Sequence, residues 1–228
     1  MIKLVVFLVV FSIVVVLLVV GFFYDDIKAF DEKRRHRHHV YQVLHNYAED
    51  YDQLLLNNVV LNLGQPGDPA TTFDHILIGD KYAYLIQDFE AQGAIYGNLR
   101  DPKLFLKNFQ STVITIPNPM IENLEAILKF EKSRGIDSEE KICVSVIVVN
   151  DSLIVPAGIK TKGQVGWFLP VNELYKTLQQ AEQDDVAKIS HETSEKIIKN
   201  LKSQSDANKA EMKKHSRPLK SNPDVPVK

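Results

Sequence analysis

YLIQDFEAQGAIYGN, residues Tyr84–Asn98, predicts a strand, a bend and a second short strand. Gly93 and Gly97 mark the bend and the end of the second strand, because glycine adopts turn conformations that other residues avoid. Upstream, residues 58–63 and 71–78 carry the apolar and β-branched side chains that are typical of strands. We therefore predict an antiparallel meander of strands that ends with this segment.

A capped helix and a buried strand are predicted downstream of the meander. Asn118 can cap a helix that has Pro119 at its first position and stops before Gly135. We expect the apolar face of this helix to contain Met120, Leu124, Ile127, Leu128 and, at its end, Glu131. The run ICVSVIVV, residues 142–149, predicts a central strand that is buried on both faces.

The order of these elements predicts the fold class. A short strand at residues 165–170 and a closing helix at residues 171–182 follow the buried strand. The pattern is that of an α/β domain, a mixed sheet flanked by helices, across residues 52–182. The chain has 228 residues, 45% of them hydrophobic, which is enough for one such domain with attachments. The formal net charge of -2 gives no indication of binding to polyanions.

The amino-terminal segment predicts a membrane anchor. Leu4–Phe23 contains no charged residue, and a helix needs about 20 apolar residues to cross the core of a bilayer. A cleaved signal peptide is the alternative, but its apolar region is usually about 7 to 15 residues long and precedes a small-residue cleavage site. We therefore predict a transmembrane helix at residues 1–24.

Basic residues beyond this segment predict its orientation. Only Lys3 precedes the apolar stretch, whereas the residues that follow it include Lys28, Lys33, Arg34, Arg35 and Arg37. Positively charged flanks tend to remain in the cytoplasm, and they could also contact the membrane surface. We therefore expect a single-pass protein of the cell membrane with a cytoplasmic carboxy-terminal domain. The single cysteine, Cys143, fits a reducing compartment.

Two polar segments flank the predicted domain. Residues 25–51 predict a basic juxtamembrane helix, in which Val40, Leu44 and Tyr47 recur at helical spacing. Its run RRHRHH could bind anionic lipid or a metal, although a solvated flank is the interpretation that we favour. Residues 183–228 predict a polar tail, helical in part and then disordered, which could recruit a protein partner.

Three short motifs follow one another along the predicted domain: an Asp within FDHILIGDKYAYLI, the glycines of GAIYGN and the NP that opens the predicted helix. In this order they resemble the nuclease-related domain, a family of the restriction-endonuclease-like superfamily that often sits beside a transmembrane helix. The resemblance covers about residues 54–182. It implies a restriction-endonuclease-like mixed sheet with a site that cuts nucleic acid. In such a site Mg²⁺ lies between an Asp and a Glu, and a Lys follows two residues after the Glu.

The resemblance also assigns positions in this chain. Asp74 falls at the first acid and would be the metal ligand if a metal is bound. Alignment of Gly93 and Gly97 with the glycines of the family places Gln87 at the Glu position and Phe89 at the Lys position. An amide oxygen can still bind a metal, but a phenyl ring offers neither charge nor proton.

A register shifted by one residue is the alternative. Asp88 and Glu90 would then be the acids near Asp74, and Lys81 would replace the missing base. Such a shift turns every side chain to the other face of the sheet, so we expect Asp88 and Glu90 to be surface charges instead. We also expect His75 to lie on the face opposite Asp74, outside its site.

Three functional hypotheses follow. The first is a membrane-anchored module that has lost its cutting site and binds or scaffolds a partner. The second is an active nuclease that uses Mg²⁺ at a rearranged site and takes nucleic acid as its substrate. The third is a structural membrane protein that recruits partners through its tail.

Overall fold

The computed structural model describes residues 2–63, 70–108, 111–136, 142–155, 166–190, 192–199 and 201, and the side chains of its first helix continuously from Phe30 onward. In chain order the elements are α1 (Ile2–Asp50), β1 (Leu54–Leu61), β2 (Thr71–Ile78), β3 (Ala83–Phe89), β4 (Ala94–Tyr96), β5 (Lys103–Lys107), β6 (Val113–Pro117), α2 (Pro119–Arg134), β7 (Cys143–Val149), β8 (Trp167–Pro170) and α3 (Val171–Ala181). Residues 192–199 are also helical.

A five-stranded mixed sheet in the order β1-β2-β3-β7-β8 forms the centre of the fold. β1, β2 and β3 pair antiparallel, whereas β3, β7 and β8 are parallel. The predicted α/β class and the first three strands of the meander are therefore confirmed. β7 lies between β3 and β8, and its residues from Val146 to Val149 are fully buried, as predicted for a central strand.

The prediction was wrong for the last strand of the meander. β4 leaves the central sheet and pairs with β5 in a separate three-stranded sheet, β4-β5-β6. Gly93 makes this departure possible, because it has a φ of 113° and a side chain there would collide with the backbone of Lys107. The sequence patterns did not predict β5 or β6.

The helix α2 begins as predicted and packs through most of the predicted face, including Leu124 and Glu131, but not through Leu128. The side chain of Asn118 caps it by accepting a hydrogen bond from the N–H of Met120 at 3.0 Å. Met120, Ile127 and Phe130 are buried, but Leu128 is 58% exposed, so its predicted core position was wrong. Leu128 follows Ile127 by one residue, which turns its side chain by about 100° around the helix axis, away from the sheet.

The helix α1 is one continuous helix that packs on the central sheet. Val40, Leu44 and Tyr47 are fully buried in the same apolar cluster as Leu174 and Leu178 of α3. The predicted helices at residues 1–24 and 25–51 are therefore a single element, without a break or a restart. Because its last turns belong to the core, the predicted domain boundary at residue 52 falls inside the packed unit.

In the part of the chain that the structure describes, no helix combines the length and the apolar content that a membrane span requires. The transmembrane helix at residues 1–24 stays a prediction.

The first part of the predicted tail packs against the domain. Ile197 and Leu201 are buried in the same apolar cluster as Phe73 and Phe130, and Ile189 lies against it. The predicted helical character is confirmed at residues 192–199. The disordered end predicted for the tail lies outside the described residues.

We predict that Asn118→Ala lowers the free energy of unfolding by about 2 to 4 kcal/mol. The Asn118 side chain is fully buried, caps α2 and donates to the carbonyl oxygens of Leu99 and Asp101 at 2.9 and 2.8 Å. The measurement is urea unfolding of the full chain in detergent, followed by the fluorescence of Trp167, the only tryptophan. The exposed control Asn172→Ala should change the free energy by less than about 0.5 kcal/mol; equal effects would contradict the prediction.

Candidate functional site

Asp74 joins two strands and a helix near the carboxyl end of β3. Its Oδ2 accepts a hydrogen bond from the backbone N–H of Asp88 at 2.9 Å, and its Oδ1 lies 3.5 Å from the guanidinium of Arg37 in α1. Burial raises the pKa of Asp74, while the hydrogen bond from Asp88 and the charge of Arg37 lower it in part. The carboxylate is thus bound both to its neighbouring strand and to α1.

Asp88 is buried beside His75, so its prediction as a surface charge was wrong. The side chain of Asp88 is 2% exposed, and its Oδ2 lies 3.3 Å from Nε2 of His75. The other ring nitrogen of His75 lies 2.6 Å from Oδ1 of Asn57 in β1. His75 and Asp88 lie on the same face of the sheet. The carboxylate of Asp88 contacts His75, and the backbone N–H of Asp88 donates to Asp74, so Asp88 connects the two residues.

His36 brings α1 into this group. Its side chain is buried, it bonds to the backbone of Val148 in β7, and Val148 is the partner of Asp88 in the β3–β7 register. Burial lowers the pKa of His36, whereas the charge of Asp88 raises it in part. Two buried atoms of this group, His36 Nε2 and Asp88 Oδ1, have no hydrogen-bond partner. We call Asn57, Asp74, His75, Asp88, His36 and Arg37 the junction cluster.

Gln87 and Phe89, the two positions that the resemblance compares with a catalytic Glu and Lys, lie outside the junction cluster. The amide of Gln87 donates to the carbonyl oxygen of Thr72 at 3.0 Å. The ring of Phe89 packs in the core against Phe168, with 6.2 Å between the ring centroids. The residue whose backbone binds Asp74 is Asp88, as in the alternative register.

The remaining residues of the alternative site are only partly brought together. Glu90 is half-buried near Lys33 and Arg37, and burial raises its pKa. Lys81 precedes β3, at the opposite end of the strand from Asp88, and its ammonium group donates to the carbonyl oxygen of Asp184. A strand of this length spans roughly 20 Å, so Lys81 cannot serve as the base beside Asp88.

The basic residues predicted to lie at a membrane surface have different partners. Lys28 pairs with Glu32 at 4.0 Å, and Arg35 pairs with Asp31, both one helical turn apart. Arg37 differs because its guanidinium reaches the sheet at Asp74. Arg37 was predicted to lie at the membrane surface, and in the structure it is part of the junction cluster.

Sequence reasoning missed His36 and Asn57. His36 precedes the predicted apolar residues Val40, Leu44 and Tyr47 by one helical turn, so the stripe could have been extended to it. For Asn57 no comparable signal exists, because it is one of two consecutive asparagines and precedes the strand predicted at residues 58–63.

Within the described ranges of the chain, no group of three or more His, Cys, Asp or Glu residues is arranged to hold a metal ion. Comparison with protein-family models, with characterised proteins and with solved structures gave no match for this chain. The resemblance to the nuclease-related domain therefore stays a prediction.

We predict that Asp88→Ala lowers the free energy of unfolding by about 2 to 4 kcal/mol, because it leaves the buried ring nitrogen of His75 unpaired. The matched control is Glu90→Ala, which removes the other acid of the alternative register from a more exposed position. It should cost less than about 1 kcal/mol. Urea unfolding in detergent measures both, and a larger loss for Glu90→Ala would contradict the structural assignment.

We also predict that His36 lowers the free energy of unfolding at acidic pH. Burial holds its pKa in the folded chain below the usual 6.5. As the pH falls below 6.5, the unfolded chain takes up a proton on this residue before the folded chain does, so stability is lost and the loss is complete below the folded pKa.

The measurement compares unfolding free energies between pH 8 and pH 5 for the wild-type chain and for His36→Gln. The variant should lose less stability over this range than the wild-type chain does. The control His38→Gln removes an exposed imidazole from the same turn of α1 and should stay closer to wild type. An unchanged slope in His36→Gln would contradict the prediction.

Proposed function

We propose that this chain is a membrane-anchored protein of the cytoplasmic face whose α/β domain binds or scaffolds a partner and does not cut nucleic acid. The observation that carries the proposal is the placement of the side chains of β3, the second strand of the predicted site. In the register that the resemblance favours, the positions of the expected Glu and Lys are held by Gln87, which is bound to the backbone of Thr72, and by Phe89, which packs against the core. In the alternative register the acid, Asp88, is buried against His75.

Metal-dependent cleavage requires anionic oxygens that are open to a metal and a cation beside the phosphate. In the junction cluster, each carboxylate already has a protein partner: Arg37 and a backbone N–H for Asp74, and His75 for Asp88. A divalent ion would have to displace these partners at Asp74, and at Asp88 it would have to reach a buried carboxylate whose second oxygen, Oδ1, is closed to solvent. The nearby cation, Arg37, is bound to one of the two acids. The junction cluster is therefore better suited to stabilise the contact between α1 and the sheet.

The membrane part of the proposal rests on the sequence and on the continuity of α1. The uncharged stretch Leu4–Phe23 and the basic residues after it favour a single-pass anchor with the domain in the cytoplasm. The helix continues from this stretch to Asp50 and packs on the sheet through its last turns. A helical connection of this kind would fix the domain at a defined distance from the bilayer, as a scaffold requires.

In this proposal the domain is a nuclease-related domain that keeps the sheet and helices of the family and has lost the residues that cut nucleic acid. A restriction-endonuclease-like arrangement of the mixed sheet is part of the proposal. The order β1-β2-β3-β7-β8, with two helices on the junction-cluster side and α2 on the other, supports it.

The test is incubation of the full chain, reconstituted in lipid nanodiscs, with single-stranded DNA, duplex DNA and RNA in the presence of Mg²⁺ or Mn²⁺. We expect no cleavage above the level of the variant Asp74→Ala, since the proposal gives Asp74 no catalytic role. An active metal-dependent nuclease in the same nanodiscs is the positive control. Cleavage that requires the metal and disappears in Asp74→Ala would overturn the proposal in favour of an active nuclease.

A further inference from the structure

The three-stranded sheet has one packed face and one open face. Ile95, Leu104 and Leu106 point inward and belong to the apolar core shared with β7 and β8. Tyr96 and Phe105 are partners in the β4–β5 register and point outward, where they are 46% and 47% exposed. Large aromatic side chains that lie exposed in adjacent strands form an apolar patch, which commonly marks a binding surface.

The open face also carries positive charge. Lys103 and Lys107 lie two residues to either side of Phe105 on β5, and strand alternation places all three on one face. Val113 of β6 is the register partner of Lys107 and is exposed as well. None of the three strands contains an acidic residue. We call Tyr96, Lys103, Phe105, Lys107 and Val113 the outer face.

The sheet lies beside the part of α1 that follows the predicted anchor. The side chain of Gln92, two residues before β4, donates a hydrogen bond to Glu32 of α1. Glu32 follows Phe23, the last residue of the uncharged stretch, by about 13 Å along a helix axis. The polar headgroup layer on each side of a bilayer is roughly 6 Å thick. The distance left to cover is the part of the helix between the outer edge of the headgroup layer and Glu32. A strand of five residues spans about 16 Å, so the sheet is long enough to reach from Glu32 back to that layer.

We propose that the outer face rests on the headgroup layer of an anionic bilayer, next to the anchor. This inference rests on the proposed membrane anchorage. Tyr96 and the lysines suit this layer, because each has an apolar body and a polar or charged end, and Phe105 adds apolar surface that can enter the boundary with the acyl chains. The exposed lysines Lys33 of α1 and Lys103 and Lys107 of β5 would add attraction to acidic headgroups.

A lipid surface accounts for the outer face better than single-stranded nucleic acid does. Stacking of bases would use Tyr96 and Phe105, but it offers nothing to the exposed aliphatic residue Val113 of the edge strand β6. Insertion into the boundary between headgroups and acyl chains uses aromatic and aliphatic residues alike. The lipid surface therefore accounts for all of the exposed apolar residues named here.

The experiment places a tryptophan on the outer face and measures its contact with lipid. The full chain carrying Phe105→Trp is reconstituted in nanodiscs that contain a brominated quenching lipid, with or without about 30% phosphatidylserine. The wild-type chain supplies the background from buried Trp167. The control is Leu128→Trp, an exposed apolar position in the second half of α2, outside the outer face.

We expect the emission of the Phe105→Trp chain to be quenched in the anionic discs, and the emission of the Leu128→Trp chain to be unaffected. Adding Lys103→Gln and Lys107→Gln should weaken the contact, by about fivefold for each lysine removed. A salt concentration of about 1 M should weaken it as well.

Failure of this inference can be separated from failure of the anchor. If the chain enters the discs and Phe105→Trp is not quenched, the anchor stands and the bilayer contact of the outer face is wrong. If the chain does not enter the discs, the anchor itself is wrong. A change of emission on adding a single-stranded oligonucleotide, without quenching by lipid, would assign the outer face to nucleic acid. A change that needs two copies in one disc would assign it to a second copy of the chain.

Discussion

The burial of the Asp88 carboxylate between α1 and the central sheet is the constraint on which the junction depends. An isolated buried charge costs several kcal/mol unless neighbouring groups compensate it, so the surrounding elements must supply partners. His75 on β2 is bound to the carboxylate, Asn57 on β1 holds the other side of that ring, and His36 on α1 lies close by. Apolar contacts would tolerate small shifts of α1 along the sheet, whereas directional partners fix its position.

The same contacts determine how the amino-terminal segment is connected to the domain. Beyond His36, the buried residues of α1 recur at Val40, Leu44 and Tyr47, and this stripe follows the sheet away from the junction cluster. At the end of α1, the carboxylate of Asp50 accepts a hydrogen bond from the hydroxyl of Tyr175 on α3 at 2.6 Å. A helix held at both ends of its packed half behaves as a rigid extension of the domain, so the domain must follow any tilt of the segment before it.

Local chemistry made part of this architecture predictable. The cap at Asn118 and the uninterrupted apolar run of β7 each depend on residues close together in sequence, and both predictions were confirmed. The burial of Asp88 was harder to predict. Strand alternation places Asp88 on the same face as Tyr84 and Ile86, but it does not indicate which helix covers that face. The link to Asp74 could not be predicted from side-chain alternation, because it passes through the backbone N–H of Asp88. The exit of β4 depends on tertiary contacts around Gly93, which no local pattern encodes.

The two faces of β3 are the structural basis on which we propose a holding role for this chain in place of cutting. On the α1 side, Asp88 follows Tyr84 and Ile86, which are fully buried in the cluster that contains Val40 and Leu44. A phosphate could reach the acid from that side only by displacing α1, at the cost of exposing this apolar surface. On the other side, Gln87 is bound to the backbone of β2 and Phe89 is partly buried against the core. Among the residues that the structure describes, neither face brings two accessible carboxylates and a cation together, because the contacts that hold α1 on the sheet already use Asp74, Asp88 and Arg37.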